Sequence, residues 1–251
     1  MFKFLVFILL GFLVSCSTRE ISPKGNAREY QIGAYLWQQH SGEYHALTYQ
    51  AYNWAEKLVK LDLQDKHNRK RAVVFDIDET ILDNSYGGAR EIKNNVPWKE
   101  SLFADWVKLK EAVAIPGALD FIKFLHKERV AVFYITNRKQ DMFQDTYDNL
   151  VKVGFPVDKE KLLMMGSDKS KESRREEVLK KYDIILLMGD NLGDFHRAFD
   201  VKGNSARNKA VDEMKGQFGE KFIILPNPLY GDWDKDFPYD KAKVEFLKLT
   251  P

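Results

Sequence analysis

Carboxylates dominate the chemistry available to this sequence. Asp76 and Asp78 stand two apart in Val73-Val74-Phe75-Asp76-Ile77-Asp78-Glu79-Thr80, and Asp190 and Asp194 stand four apart in Gly189-Asp190-Asn191-Leu192-Gly193-Asp194. Between them lie Ile135-Thr136-Asn137-Arg138 and Asp168-Lys169-Ser170-Lys171. Clustered carboxylates repel one another unless a cation neutralises them, and an all-oxygen donor set favours Mg²⁺ over a softer metal. A carboxylate can attack phosphorus and form an aspartyl phosphate. A second carboxyl two residues on can protonate the leaving oxygen and then activate water. A threonine hydroxyl and backbone amides at a helix start suit phosphate oxygens, and a lysine supplies a compact positive charge. The competing explanation for each aspartate is helix N-capping, which serves for Asp194 alone but poorly for the whole set.

Such groups need a scaffold that brings them to one rim. Residues 27–39 and 43–64 have helical spacing, with Tyr44, Leu47, Ala51, Trp54, Ala55, Leu58 and Leu61 three and four apart. Short apolar runs at 72–75, 130–135, 162–165, 184–188 and 222–225 read as strands, separated by helical stretches at 117–127, 140–152 and 171–181. That alternation predicts an α/β fold, a doubly wound parallel sheet covered on both faces, with chemistry beyond the carboxyl ends of the strands. The motif at Asp76, the Thr136 motif and the Asp190 motif each follow such a strand. The segment from about 83 to 115, with Pro97 and Trp98, interrupts the alternation and reads as a cap insertion.

Composition narrows the function. Lys+Arg 39 against Asp+Glu 37 gives +2, too balanced for a nucleic-acid binder, and the basic run Lys66–Arg71 reads as a solvated loop. The five histidines lack ligand-like grouping, His40 and His45 being five apart. A single cysteine excludes a disulfide framework and a Cys-Cys zinc site. That Cys16 closes an amino-terminal segment in which Lys3 precedes the apolar run Phe4–Val14, too short for the ~20 residues of a spanning helix but fitting a secretory signal. Leu13-Val14-Ser15-Cys16 resembles the lipobox of bacterial lipoproteins, which implies lipidation at Cys16 after removal of residues 1–15. Residues 16–26 would then be a tether, 27–66 an N-terminal helical segment, 71–225 the core with its cap insertion, and 226–251 a C-terminal substrate loop and helix.

Taken together, Asp76-Ile-Asp-Glu-Thr-Ile-Leu-Asp-Asn84, Ile135-Thr-Asn-Arg138, Gly189-Asp-Asn-Leu-Gly-Asp-Phe195 and Leu225-Pro-Asn-Pro-Leu-Tyr-Gly-Asp-Trp233 resemble the haloacid-dehalogenase (HAD) superfamily. Within it the chain looks like the class C bacterial acid phosphatases, and most like the 5′-nucleotidases of the lipoprotein e type. The resemblance implies Asp76 as nucleophile and Asp78 as acid/base. It implies Mg²⁺ held by the Asp76 carboxylate, the Asp78 carbonyl and Asp190, with Asp194 in support. Thr136 and Asn137 would bind phosphoryl oxygens, and Lys171 would be the motif lysine, with Lys169 the alternative. Trp98 and Tyr230 would sandwich a nucleotide base, with Tyr52 and Trp54 weaker candidates. Arg138 and Arg174 would be structural ion-pair partners. One departure is Tyr86, which follows Asn84 one residue earlier than the family pattern.

The expectation is therefore a Mg²⁺-dependent acid phosphatase and 5′-nucleotidase. It would be anchored by lipid in the cell envelope, at the outer membrane if the source is Gram-negative. Its partners would be phosphomonoesters, nucleotides among them, and the membrane; a homodimer is an open alternative. Two other functions remain open, a nucleoside phosphotransferase and a surface lipoprotein binding haem or a host partner.

Overall fold

The computed structural model describes residues 28–238 and 241–250. The expected signal segment, the tether and Cys16 lie outside the described residues. A parallel sheet runs in the order β5-β4-β1-β6-β7, from β1 (Lys70–Phe75), β4 (Ala131–Lys139), β5 (Leu162–Met165), β6 (Tyr182–Gly189) and β7 (Phe222–Ile224). The central β1 explains why its apolar run is unbroken. Val73 and Phe75 enter one core with Tyr52, Ala55 and Val59 of α2 (Gly42–Asp62) and Phe121, Ile122 and Leu125 of α5 (Ala118–Lys127). Ala72 and Val74 enter the other, with Val178 of α7 (Glu172–Leu179) and Ala210 of α8 (Asn204–Met214). A strand buried on both faces has no polar side to alternate with. Each large side chain so buried is worth roughly 1.5–3 kcal/mol.

The other elements follow the sequence with small shifts of boundary. α1 (Ile32–His40) precedes α2, whose start is capped by Ser41 Oγ accepting the Tyr44 N–H at 3.1 Å. α6 (Phe143–Val153) ends at Gly154, whose φ of 99° is the left-handed conformation that glycine adopts without strain. The insertion is a helical hairpin, α3 (Ser85–Lys93) and α4 (Glu100–Leu109), closed at its base by the antiparallel pair β2 (Leu82–Asp83) and β3 (Val113–Ala114). It is fixed to the body at both ends. Arg28 makes an ion pair with Glu91 of α3, and Lys110 bridges Asp145 and Asp148 of α6 at 3.1 and 2.7 Å.

Two expectations need correcting, and one helix is additional. No α-helix ends the described chain: residues beyond β7 form two 3-10 turns, Asp232–Asp236 and Lys243–Phe246, because Pro226, Pro228 and Pro238 withhold backbone donors. α8 was not anticipated, since it buries only Arg207 and Ala210 and has almost no apolar stripe. The basic run is also more than a solvated loop. His67 lies between Asp62 and Asp183 at 3.1 and 3.2 Å, and Arg71 Nε donates to Asp62 at 2.5 Å, joining the end of α2 to the sheet. Among the described residues no helix is long and apolar enough to cross a membrane.

Candidate active site

β1 delivers Asp76 while still hydrogen-bonded to the sheet: the Asp76 N–H donates to Met188 O at 2.9 Å. The chain then turns sharply, the Ile77 carbonyl accepting the N–H groups of Ile81 and Leu82, both at 2.9 Å. Glu79 in this turn has φ 53°, a left-handed conformation costly for a side chain with Cβ. The surroundings hold it there. The Tyr52 hydroxyl of α2 donates to Thr80 O at 2.5 Å, and Thr80 Oγ1 donates to Asp190 Oδ1 at 3.1 Å. Tyr52, a weak substrate candidate by sequence, is thus a buried prop under the turn that carries Asp76 and Asp78.

Lys171, at the start of α7, places its ammonium between two carboxylates, bonding to Asp76 Oδ1 and, at 2.6 Å, to Asp194 Oδ1. Asp194 uses its other oxygen to accept the Asn191 N–H at 2.9 Å, so it caps the turn and binds the lysine at once. Gly189 is required here, because a Cβ would collide with the Asp194 carboxyl. Lys169 is exposed, and its carbonyl accepts a long bond from Arg174.

Oxygens of Asp76, Asp190 and Asp194 lie within 4.8 Å of one another. Burial pushes the Asp76 carboxyl well above the usual carboxylate range; Lys171 opposes this, and Asp194, Asp190 and Asp78 add to it. Burial, then Asp194, pushes Asp190 up to about 7. Burial disfavours the charge on Lys171, but Asp194 and Asp76 hold it above the usual lysine range. Three converging carboxylates against one ammonium leave negative charge uncompensated, and the donors are all oxygen. The set fits a hard divalent cation.

The Asp78 carboxylate is turned to Arg138, whose Nε and Nη2 donate to Oδ1 at 3.0 and 2.7 Å, and to Asn84, whose Nδ2 donates at 2.8 Å. Arg138 is therefore the ion-pair partner expected. Arg174 instead donates to Thr136 O at 2.5 Å and to Asn137 Oδ1 at 2.8 Å, tying the end of β4 to α7. Thr136 is buried, its Oγ1 3.5 Å from Asp78 Oδ2, while Asn137 is exposed.

The base-sandwich candidates are placed unequally. Trp98 is 54% exposed on the loop joining α3 and α4. Tyr230 is half-buried against Tyr35, Ile92 and Leu229, and its hydroxyl donates to Glu79. Tyr86 is exposed on the first turn of α3. Trp54 is partly exposed and lines a groove of about 1140 Å³ with Tyr49, Trp233 and Arg207, which reaches Asp190 and Asn227. Sequence reasoning missed Glu79 and Asn227. Asn227 Nδ2 donates to Asp190 Oδ2 at 2.8 Å while its Oδ1 accepts the Leu229 N–H at 2.9 Å. Its place between Pro226 and Pro228 was the available signal.

Comparison with known proteins agrees with this geometry. The chain is similar to the class C acid phosphatase of Bacillus anthracis, at 42% identity and a TM-score of 0.82, covering 88% of this chain and 94% of that one. A structure of the Bacillus anthracis class C enzyme with tungstate bound gives 42% identity and a TM-score of 0.81, covering 86% and 92%. Acid phosphatase 1 of Solanum lycopersicum is 27% identical over 162 residues, 62% of this chain; the match spans 57% of that relative's length. The model of the HAD superfamily, subfamily IIIB (acid phosphatase) matches residues 17–233. The chain belongs to the acid phosphatases of HAD subfamily IIIB.

Proposed function

We propose that the protein is a Mg²⁺-dependent phosphomonoesterase that hydrolyses nucleoside monophosphates and similar small esters through an aspartyl phosphate. The observation that carries this is Lys171 bound to both Asp76 and Asp194 beside the carboxylate of Asp190. The tungstate held by the Bacillus anthracis relative supports it, tungstate being a tetrahedral oxyanion like phosphate. Asp76, Asp190 and Asp194, with the Asp78 carbonyl, would hold the cation, which when bound offsets carboxylate charge and draws electron density from the phosphoryl oxygens.

The chain's own groups then divide the work. Lys171 opposes the burial that raises Asp76 and binds its Oδ1, leaving Oδ2 to attack phosphorus. As the phosphorus–ester oxygen bond breaks, Asp78, which has swung away from Arg138 and taken a proton from solvent, gives that proton to the leaving oxygen. Asp78 next takes a proton from water, the water oxygen attacks the phosphoryl group on Asp76, and phosphate leaves. Thr136 Oγ1 and backbone N–H groups beyond the strand ends steady the phosphoryl oxygens. Cys16 is proposed as a lipid attachment point that keeps the exported enzyme on a membrane surface.

The test is phosphate release from nucleoside monophosphates, nicotinamide mononucleotide and sugar phosphates, with Mg²⁺ and with chelator. Mg²⁺-dependent release is expected. Release that survives chelation, or none from any ester, overturns the proposal.

A further inference from the structure

Asn227 lies beyond β7, yet it reaches the carboxylate that follows β6. The end of the sheet brings the two together. The Leu225 N–H donates to Gly189 O at 2.8 Å, closing the ladder between the strands, so Asp190 and Asn227 emerge side by side just past it. Pro226 and Pro228 flank Asn227 and fix φ on either side of it, which leaves the chain little freedom to turn away.

Asn227 Nδ2 donates to Asp190 Oδ2 at 2.8 Å. The backbone decides which end of the amide faces the carboxylate. Asn227 Oδ1 accepts the N–H of Leu229 at 2.9 Å, and an N–H can only donate. Leu229 is buried, and Gln31 Nε2 of the N-terminal segment donates to its carbonyl at 2.7 Å. The amide therefore cannot turn its oxygen toward Asp190 without losing a bond. On the other side the buried Thr80 donates from Oγ1 to Asp190 Oδ1 at 3.1 Å. A donor on each oxygen sets the plane of the Asp190 carboxylate.

We propose that Asn227 is a positioning residue for the cation: by fixing the Asp190 carboxylate through Nδ2 it makes the cluster of Asp76, Asp190 and Asp194 selective for Mg²⁺ over Ca²⁺. This rests on the cation site of the phosphomonoesterase reading and adds a group that decides which ion the site accepts. Mg²⁺ demands near-ideal octahedral geometry at about 2.0–2.1 Å, whereas Ca²⁺ takes more oxygens at longer range and tolerates irregular ones. A carboxylate that can neither swing nor spread suits the first ion better than the second. Outer partners of metal ligands orient those ligands, and their loss weakens binding.

The experiment strips the protein with chelator and reads Mg²⁺ and Ca²⁺ affinities from the rise in melting temperature as each ion is added. The unaltered protein, Asn227→Ala, Asn227→Asp and Gln31→Ala are compared. The unaltered protein is expected to prefer Mg²⁺. In Asn227→Ala the Mg²⁺ affinity should fall about 10- to 100-fold and the Ca²⁺ affinity by less, so the preference narrows. Asn227→Asp keeps the acceptor for Leu229, loses the donor and adds an oxygen, so the preference should narrow there too, and it serves if Asn227→Ala fails to fold. Gln31→Ala loosens the Leu229 carbonyl but spares the bond to Asp190, so the preference should be kept. A preference unchanged in the Asn227 variants overturns the proposal, as does an unaltered protein that binds Ca²⁺ as tightly as Mg²⁺. A loss of preference in Gln31→Ala as large as in Asn227→Ala also overturns it, because loop order alone would then explain the effect. If the melt of the unaltered protein responds to neither ion, the cation site itself falls; if it responds to Mg²⁺ with a preference indifferent to Asn227, only the role of Asn227 does.

Discussion

Arg138 grips Asp78 through two nitrogens, Nε at 3.0 Å and Nη2 at 2.7 Å from the same carboxylate oxygen. The guanidinium is itself set by Thr146 Oγ1 at 3.1 Å and by the Phe103 ring of the cap, 5.5 Å from its carbon. Trp106, also of the cap, donates from Nε1 to Asn84 Oδ1 at 2.9 Å, and Asn84 holds Asp78. The resting place of Asp78, the proposed acid/base, thus depends on side chains of the inserted hairpin.

Replacing Arg138 tests that dependence. Arg138→Lys supplies charge without the fork, and kcat is expected to fall by about tenfold. Arg138→Ala leaves Asp78 without its partner and is expected to destabilise the fold by about 3 kcal/mol or more. Steady-state kinetics and denaturant unfolding read the two effects; an unchanged kcat in Arg138→Lys would mean that Asp78 works independently of this grip.

The two lysines of the third motif are separable. Lys171→Met removes the ammonium from the buried cluster and is expected to lower kcat by roughly 10²-fold or more. Lys169→Met alters an exposed side chain and should stay within about twofold. Initial rates on one ester decide between them, and the reverse order would assign the motif to Lys169.

Removal of metal should make stability depend on pH in a defined direction. The Asp190 carboxyl, pushed up to about 7 in the folded protein, holds a proton that the unfolded chain releases near about pH 4. Its contribution to stability is complete below about pH 4 and is lost as pH rises through about 7. Chelated protein should therefore lose stability between pH 5 and 8 (both about one unit or more from the folded value), and Mg²⁺ should restore more at the higher pH. Thermal melts with and without Mg²⁺ measure this; a Mg²⁺ effect larger at pH 5 would contradict the cation site.

Two helical glycines give a matched pair. Alanine in a helix interior is ordinarily better than glycine by about 1 kcal/mol. Gly33 in α1 has no atom within 4 Å of an added Cβ, so Gly33→Ala should stabilise by about that amount. At Gly88 in α3 the Cβ would overlap the Tyr35 hydroxyl, which is fixed by Arg28 at 2.9 Å, and Gly88→Ala should destabilise by about 1–3 kcal/mol. Equal shifts in unfolding midpoint would mean that α3 is free to move away from α1.

The sheet was legible because its strands are short apolar runs, the central β1 buried on both faces, and the carboxylates because they follow those runs directly. Lys171 is marked by the resemblance, through its place three residues before Arg174, with Lys169 the alternative. What was hidden had no local signature. β2 and β3 have two residues each, and α8 shows charge on nearly all its faces. The pairing of Glu79 with Tyr230 joins motifs 151 residues apart, and neither motif shows the other's existence. Asn137 is named by the resemblance as a phosphoryl ligand, and the bond that its side-chain oxygen accepts from Arg174 has no signature in the sequence.

The strand order also has a consequence for synthesis. β1 lies between β4 and β6, so a chain elongated only through α6 has paired one edge of β1 and left the other open. Such an edge is a template for wrong partners, and pairings that must wait for distant residues form slowly. Two of the three clustered carboxylates, Asp190 and Asp194, emerge with or after the strand that closes that edge. A truncation before β6 is therefore expected to be adhesive and inert together, and protection of the β1 edge coincides with arrival of the site.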